Sequence, residues 1–198
     1  MSLPITREQA LQLVHQYNTE PSDLNHYRES EAIMGALAER VGEDAAYWSM
    51  LGLLHDIDWG LTKDDSKLHL TKAPDILRQA GFDEQFIQVI LSHGYGWDCA
   101  GLQDMRRSQK IEFALASAET VTGLIYAYAL MRRGIEGMEV SGLKKKMKDK
   151  RFSAAINREV IMECEKIGLP LDEFLALAIK AMQGIAHEIG LGALATKD

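Results

Sequence analysis

The sequence predicts an all-α protein. Apolar residues recur at three- and four-residue spacing through most of the chain, and period-2 alternation is scarce. Only four prolines occur, at positions 4, 21, 74 and 170, and none interrupts a convincing periodic stretch except near its start. The 198 residues suit one domain with a sizeable core. We read a single helical domain over 1–198, with its core at about 20–135 and C-terminal helices at about 140–190.

The elements run in order. Thr6–Tyr17 is a first helix. Ser22 or Asp23 can cap a second that runs to about Val41 and stops at Gly42. Asp44–Ile57 is a third, ending in the apolar run Trp48–Leu54. The polar stretch Asp58–Lys67 reads as a loop. Helices are expected over Thr71–Ala80 and Asp83–His93, separated by Gly81. Gly94–Arg107 holds three glycines and two aromatic residues and reads as an irregular loop. A long helix runs from Ser108 to about Arg133. Its apolar run, Phe113–Met131, is interrupted by Ser117, Glu119, Thr120 and Thr122, which suits a buried core helix rather than a membrane span. Further helices are expected over Ser141–Lys150, Arg158–Ile167 and Leu171–Gly190, the last with Pro170 near its start. Ala195–Asp198 is expected to fray.

Composition excludes several function classes. Apolar residues make up 46% and charged residues 26%, which rules out disorder. Cys99 and Cys164 lie far apart and form no C-x-x-C, so they fit a reducing compartment and argue against a thiolate metal site. The net charge of −7 offers no basic footprint for a nucleic-acid polymer. Met1–Gln9 has no apolar segment of the signal-peptide kind. The expectation is a cytoplasmic protein without a membrane or nucleic-acid partner.

Six residues stand out as candidate metal ligands: His26, His55, Asp56, His69, His93 and Glu119. Imidazole with carboxylate suits a borderline divalent ion. Glu119 is the only charged residue between Phe113 and Met131, and an ionised carboxylate in such surroundings needs a cation or a proton to compensate it. His55 and Asp56 come after a run of apolar residues at an expected helix end. Neighbours on a helix diverge by about 100°, so a helix end is where the two most easily converge. His26 shares a face with Ile33, Met34, Leu37 and Val41. His93 closes another apolar helix. His69 sits between a loop and a helix start, where a solvated histidine is the simpler alternative.

This ordered set resembles the HD-domain superfamily of metal-dependent phosphohydrolases. That family carries a histidine, an adjacent His-Asp pair and a distal aspartate on an all-α helical bundle. His26, His55 and Asp56 match directly. The distal position falls at Glu119, where relatives usually carry aspartate. His69 and His93 match the additional histidines of members that hold two metals. The resemblance covers roughly residues 20–190 and extends to stretches such as Gly52-Leu-Leu-His-Asp-Ile57 and Leu143–Lys150.

The resemblance implies one or two divalent ions per chain (Mn, Fe, Co, Ni, Zn or Mg) and a small phosphorylated substrate, a nucleotide being one candidate. It implies hydrolysis by water that the metal activates, with Asp56 orienting the metal. Asp58, in place of the family's usual glycine, is a candidate general base or a supporting partner behind the ligands, or else a loop or capping residue. Lys72 is a candidate phosphate contact, or else a solvated lysine. Tyr95 and Trp97 are candidates to wall the pocket or stack on a base. The alternatives to a hydrolase are a di-iron oxygenase, which the same ligand count would serve, and a sensor or scaffold with a weakened metal site.

Overall fold

The computed structural model describes residues 2–152 and 156–192. The expected fraying of Ala195–Asp198 lies outside these residues. The described residues are helical, with no strand among them.

Helix α1 (Arg7–Tyr17) begins one residue later than expected because Thr6 is its cap. The Thr6 hydroxyl accepts from the Gln9 backbone, and the Gln9 side chain accepts from the Thr6 backbone. Helix α2 (Pro21–Val41) is not capped by Ser22 or Asp23. Pro21 takes its first turn, where a missing N–H costs nothing. Gly42 ends it as expected, with φ 79°, the left-handed region glycine enters without a Cβ clash. Helix α3 (Ala45–Leu54) has the Asp44 carboxylate accepting from the Tyr47 N–H at 3.0 Å.

Helix α3 ends three residues earlier than expected, and tight turns carry residues 55–58. The stretch expected to be a loop then contains helix α4 (Trp59–Thr62) and a 3-10 turn over Ser66–Leu68. Helices α5 (Ala73–Gln79) and α6 (Glu84–Ser92) come next, with Asp83 capping α6. Gly94–Arg107 is the irregular loop the sequence predicts.

Helix α7 (Lys110–Arg132) is the axis of the fold. It contacts α2, α3 and α6, and it also touches α8 (Val140–Lys148), α9 (Arg158–Met162) and α10 (Leu171–Gly184). By length and composition α7 could cross a membrane, but most of its apolar stretch is buried inside the fold, as expected of a core helix. The final helix stops at Gly184 rather than Gly190. A single hydrophobic core runs from Ala10 on α1 to Leu191.

The pairing of α2 with α3 does most to position the polar residues near their ends. It is close because Gly52 lies against α2: a Cβ there would stand 2.4 Å from the Ser30 carbonyl oxygen. That approach brings the first turns of α2 beside the C-terminal end of α3. His26 is thereby set against His55.

Candidate metal centre

His55 and His93 are placed by the same local device. Each is the residue directly after a helix, and each turns Nδ1 back onto the carbonyl three residues earlier. His55 Nδ1 donates to the Gly52 carbonyl at 2.8 Å, and His93 Nδ1 donates to the Ile90 carbonyl at 2.6 Å. These carbonyls belong to the last turns of α3 and α6, where some have no partner within the helix. A carbonyl can only accept, so Nδ1 carries a proton in both rings, and in the neutral imidazole Nε2 is then the nitrogen with the lone pair.

His26 is fixed in the same tautomer by α7. The Thr122 hydroxyl donates to the Glu119 carbonyl at 2.6 Å, which leaves it to accept from His26 Nδ1 at 2.9 Å. His69 comes just after the 3-10 turn, and its Nδ1 lies 3.3 Å from Asp58 Oδ1. The contact is an ion pair, and Nδ1 makes no hydrogen bond.

Asp58 is fully buried. Its carboxylate accepts from the backbone N–H of Leu70 at 3.2 Å, of Lys72 at 2.9 Å and of Ala73 at 3.1 Å. It therefore ties the start of α5 to the segment bearing His69, and it holds Leu70 in a left-handed conformation with φ 67°. Both of its oxygens face backbone donors, and Asp58 is not among the residues that line the cavity, a placement that suits a supporting role. Lys72 is likewise placed away from the cavity. Its backbone meets Asp58, but its exposed side chain is outside the cavity wall.

Asp56 lies at the centre. Its Oδ2 is 3.7 Å from His26 Nε2 and 3.5 Å from His55 Nε2. Its Oδ1 is 3.3 Å from His69 Nε2 and 3.1 Å from His93 Nε2. The imidazoles also meet in pairs, with His55 Nε2 at 3.0 Å from His26 Nε2 and His69 Nε2 at 3.2 Å from His93 Nε2. Two groups result, His26–His55–Asp56 and Asp56–His69–His93, and within each the donor atoms lie within 4.8 Å of one another. Tyr27 anchors the junction: its hydroxyl donates to the Asp56 carbonyl at 2.9 Å and accepts from the Asn18 amide at 3.0 Å.

These surroundings set the protonation preferences. Burial pushes His55 down to about 3, with His26 and His93 adding to the effect against the pull of Asp56. Burial alone would raise Asp56, but His55 and His69 outweigh it and hold it well below the usual carboxylate range. Burial opposes charge on His69 too, yet Asp56 and Asp58 raise it to about 10. Burial raises Glu119, and His93 and His26 partly counter the shift.

The donor set fits a divalent ion. Two nitrogens each about 2.0–2.1 Å from one ion lie about 3 Å apart at ordinary ligand angles, and both imidazole pairs have that spacing. The His55 and His26 Nε2 atoms, 3.0 Å apart with Nδ1 protonated in both rings, need a metal ion or a shared proton between them. The far nitrogen of every ring is already turned to a carbonyl, a hydroxyl or a carboxylate, as in ligating histidines generally.

Glu119 is not brought into either three-ligand group. It lines the same cavity, and its Oε1 accepts from the Thr120 hydroxyl at 2.5 Å. The cavity is about 760 Å³. His26, Asp56, His69 and His93 form its floor, and Trp59, Trp97, Phe152 and Ile156 are among its apolar walls. Of the two aromatics singled out in the loop, Trp97 lines the cavity. Tyr95 is buried elsewhere, its hydroxyl donating to Gln88 at 3.3 Å. Sequence reasoning missed Tyr27, Thr122 and Trp59; only their neighbours in sequence pointed to them.

Searches of the curated proteins and of the solved structures return no match. The family model for the HD domain matches residues 23–149. That stretch begins just before His26 and spans His55, Asp56, His69, His93 and Glu119. It covers more than half of the chain, and the protein belongs to the HD domain family.

Proposed function

We propose that this protein is a metal-dependent phosphohydrolase that acts on a phosphomonoester or nucleotide. HD domains bind divalent metals and are mostly metal-dependent phosphohydrolases. The observation that carries the reading is the shared carboxylate. Asp56 presents one oxygen to each imidazole pair, at the floor of a cavity large enough for a small organic phosphate.

His26, His55 and Asp56 would hold one ion, and Asp56, His69 and His93 a second. Such an ion supplies positive charge to a phosphoryl oxygen and acidifies the attacking water. The chain's own groups do the rest. Thr122, Asp58 and the ends of α3 and α6 keep the four rings oriented. Tyr27 fixes the backbone of Asp56. Trp59, edge-on to His69 with ring centroids 5.2 Å apart, helps to keep bulk water from the floor.

A second reading has one specific observation in its favour. Each group consists of two histidines and a carboxylate, the set that non-haem iron oxygenases use. Elemental analysis of the purified protein and a phosphatase assay decide between them. The hydrolase reading expects release of phosphate from aryl or nucleoside monophosphates with added Mn, Co, Ni or Mg, lost in Asp56→Ala. Two irons per chain with oxygen uptake and no phosphate release would establish the oxygenase. If no metal supports turnover above the Asp56→Ala control, the hydrolase reading fails.

A further inference from the structure

The charges around the cavity bear on what can occupy it. Among the described residues that line it, Lys67 is the only lysine or arginine, and its ammonium is 3.2 Å from the Asp98 carboxylate. Asp98 and Glu119 add two carboxylates to that of Asp56. The guanidinium groups of the adjoining loop face elsewhere. Arg107 donates to Glu163 at 2.6 Å and to the Ser92 carbonyl at 2.8 Å, and Arg106 donates to the carbonyls of Gln103 and Met105. Lys146 packs its ammonium 5.1 Å from the Phe152 ring centroid and does not line the cavity.

Trp59, Trp97 and Phe152 give the rest of the wall planar apolar surface, beside the uncharged polar side chains of Ser66, Thr120 and Asn157. Trp97 is half exposed, which is unusual for so large an apolar ring unless something covers it. A volume of about 760 Å³ is far more than one phosphate needs and falls in the range of drug-sized ligands. A carboxylate such as Glu119 accepts hydrogen bonds from neutral hydroxyl or amino groups.

We propose that the site takes a substrate with a single phosphate on a planar, uncharged body that bears hydrogen-bond donors, and that Asp98 and Glu119 reject substrates with further phosphates. This rests on the phosphohydrolase reading and narrows its substrate class. One phosphate finds its countercharge at the floor. A second or third would reach the exposed Lys67–Asp98 pair, where the lysine is already paired and the carboxylate repels it, while Glu119 adds negative charge beside the floor residues His26 and His93. The body would instead lie against Trp97, whose face suits a planar ring.

The test uses the full chain loaded with metal, at fixed free metal concentration, and a nucleoside mono-, di- and triphosphate series. Binding is read by quenching of tryptophan fluorescence, and kcat/KM is read in parallel. Each added phosphate is expected to weaken binding about tenfold or more. Asp98→Asn releases Lys67 and should narrow the gap between mono- and diphosphate. Trp97→Ala should weaken the nucleoside monophosphate and leave glycerol phosphate little changed. Equal or tighter binding of the triphosphate, or no binding of the monophosphate, overturns the inference. The expected order of binding without turnover of any member would uphold it and sink the phosphohydrolase reading. Turnover without that order would do the reverse.

Discussion

Thr122 is the least conspicuous residue of the candidate centre and one of the most constrained. Its hydroxyl hydrogen goes to the Glu119 carbonyl, so its oxygen can only receive the Nδ1 proton of His26. Valine in its place would free the His26 ring to rotate or change tautomer. Loss of such an outer partner typically costs about 10–100-fold in metal affinity, and Thr122→Val is expected to fall in that range with little change in fold. Titration with Mn or Co checks it, and unchanged affinity would remove Thr122 from the site. Glu29 invites a different test. It is buried on α2, its Oε1 has no hydrogen-bond partner, and burial raises it from 4.5 to about 8. The folded chain then binds a proton that the unfolded chain has released, over the interval between those two values. Its contribution to stability is present in full below pH 4.5 and is lost as pH rises through about 8, at up to about 1.4 kcal/mol per pH unit. Glu29→Gln removes this dependence. Its melting temperature should gain on the wild type by several degrees from about pH 5.5 to 7.5, at roughly 2–4 °C per kcal/mol. Parallel curves would refute the assignment. At this scale the four histidines and Asp56 that the fold brings together stood out in the sequence because a polar residue amid apolar ones needs a reason. Thr122 did not, since its role depends on a partner distant in the chain, and for Asp58 the sequence offered several roles without choosing among them.

The helices contribute by where they end. His55 and His93 are useful because α3 and α6 stop just before them and leave carbonyls for their Nδ1 protons. Helical periodicity located both helices but placed the end of α3 three residues late, because an apolar pattern continues through Ile57 while the backbone has already turned. It missed α4 and the 3-10 turn over Ser66–Leu68, since four and three residues are too few for a 3.6-residue period to register. Gly52 joins the two levels. It admits α2 at close range, and its carbonyl holds His55. Gly52→Ala would set a methyl group 2.4 Å from the Ser30 carbonyl oxygen, and backbone cannot yield as a flexible side chain can. The variant is expected to lose about 1–3 kcal/mol, as overpacked sites do, and to bind metal more weakly because His55 and His26 separate. Gly184→Ala is the control. Nothing lies within 4 Å of a Cβ there, so it should be neutral or gain about 0.5–1 kcal/mol. Thermal melts and metal titration of both variants check this. Equal stability of the two would mean that the α2–α3 approach is not limiting.

Across the whole molecule, the candidate centre gathers side chains from α2, from the turns after α3, the 3-10 turn and α6, and from α7 behind them. Those pieces are joined through the hydrophobic core and by a few buried hydrogen bonds, such as Tyr27 to the Asp56 carbonyl and the Asp58 carboxylate to the backbone of Leu70, Lys72 and Ala73. In the absence of a metal ion, the core must hold four imidazoles together at the cost of their desolvation, with the Asp56 carboxylate as their shared counter-charge. An ion that binds the folded chain and not the unfolded one reverses that cost, and mass action sets its effect on stability. At a free concentration about a hundredfold above Kd it adds about 2.7 kcal/mol, or roughly 5–10 °C for a chain of this size. The expectation is a melting temperature that rises with the logarithm of Mn or Co concentration and falls when a chelator is added. Asp56 distinguishes this from nonspecific binding. It is the one residue common to both ligand groups, so Asp56→Asn should abolish most of the metal-dependent shift. His69→Ala touches one group only and should leave part of it. If Asp56→Asn and the wild type respond to metal alike, the ion binds elsewhere. If His69→Ala loses the entire response, the two groups do not bind independently and a single ion must draw on both.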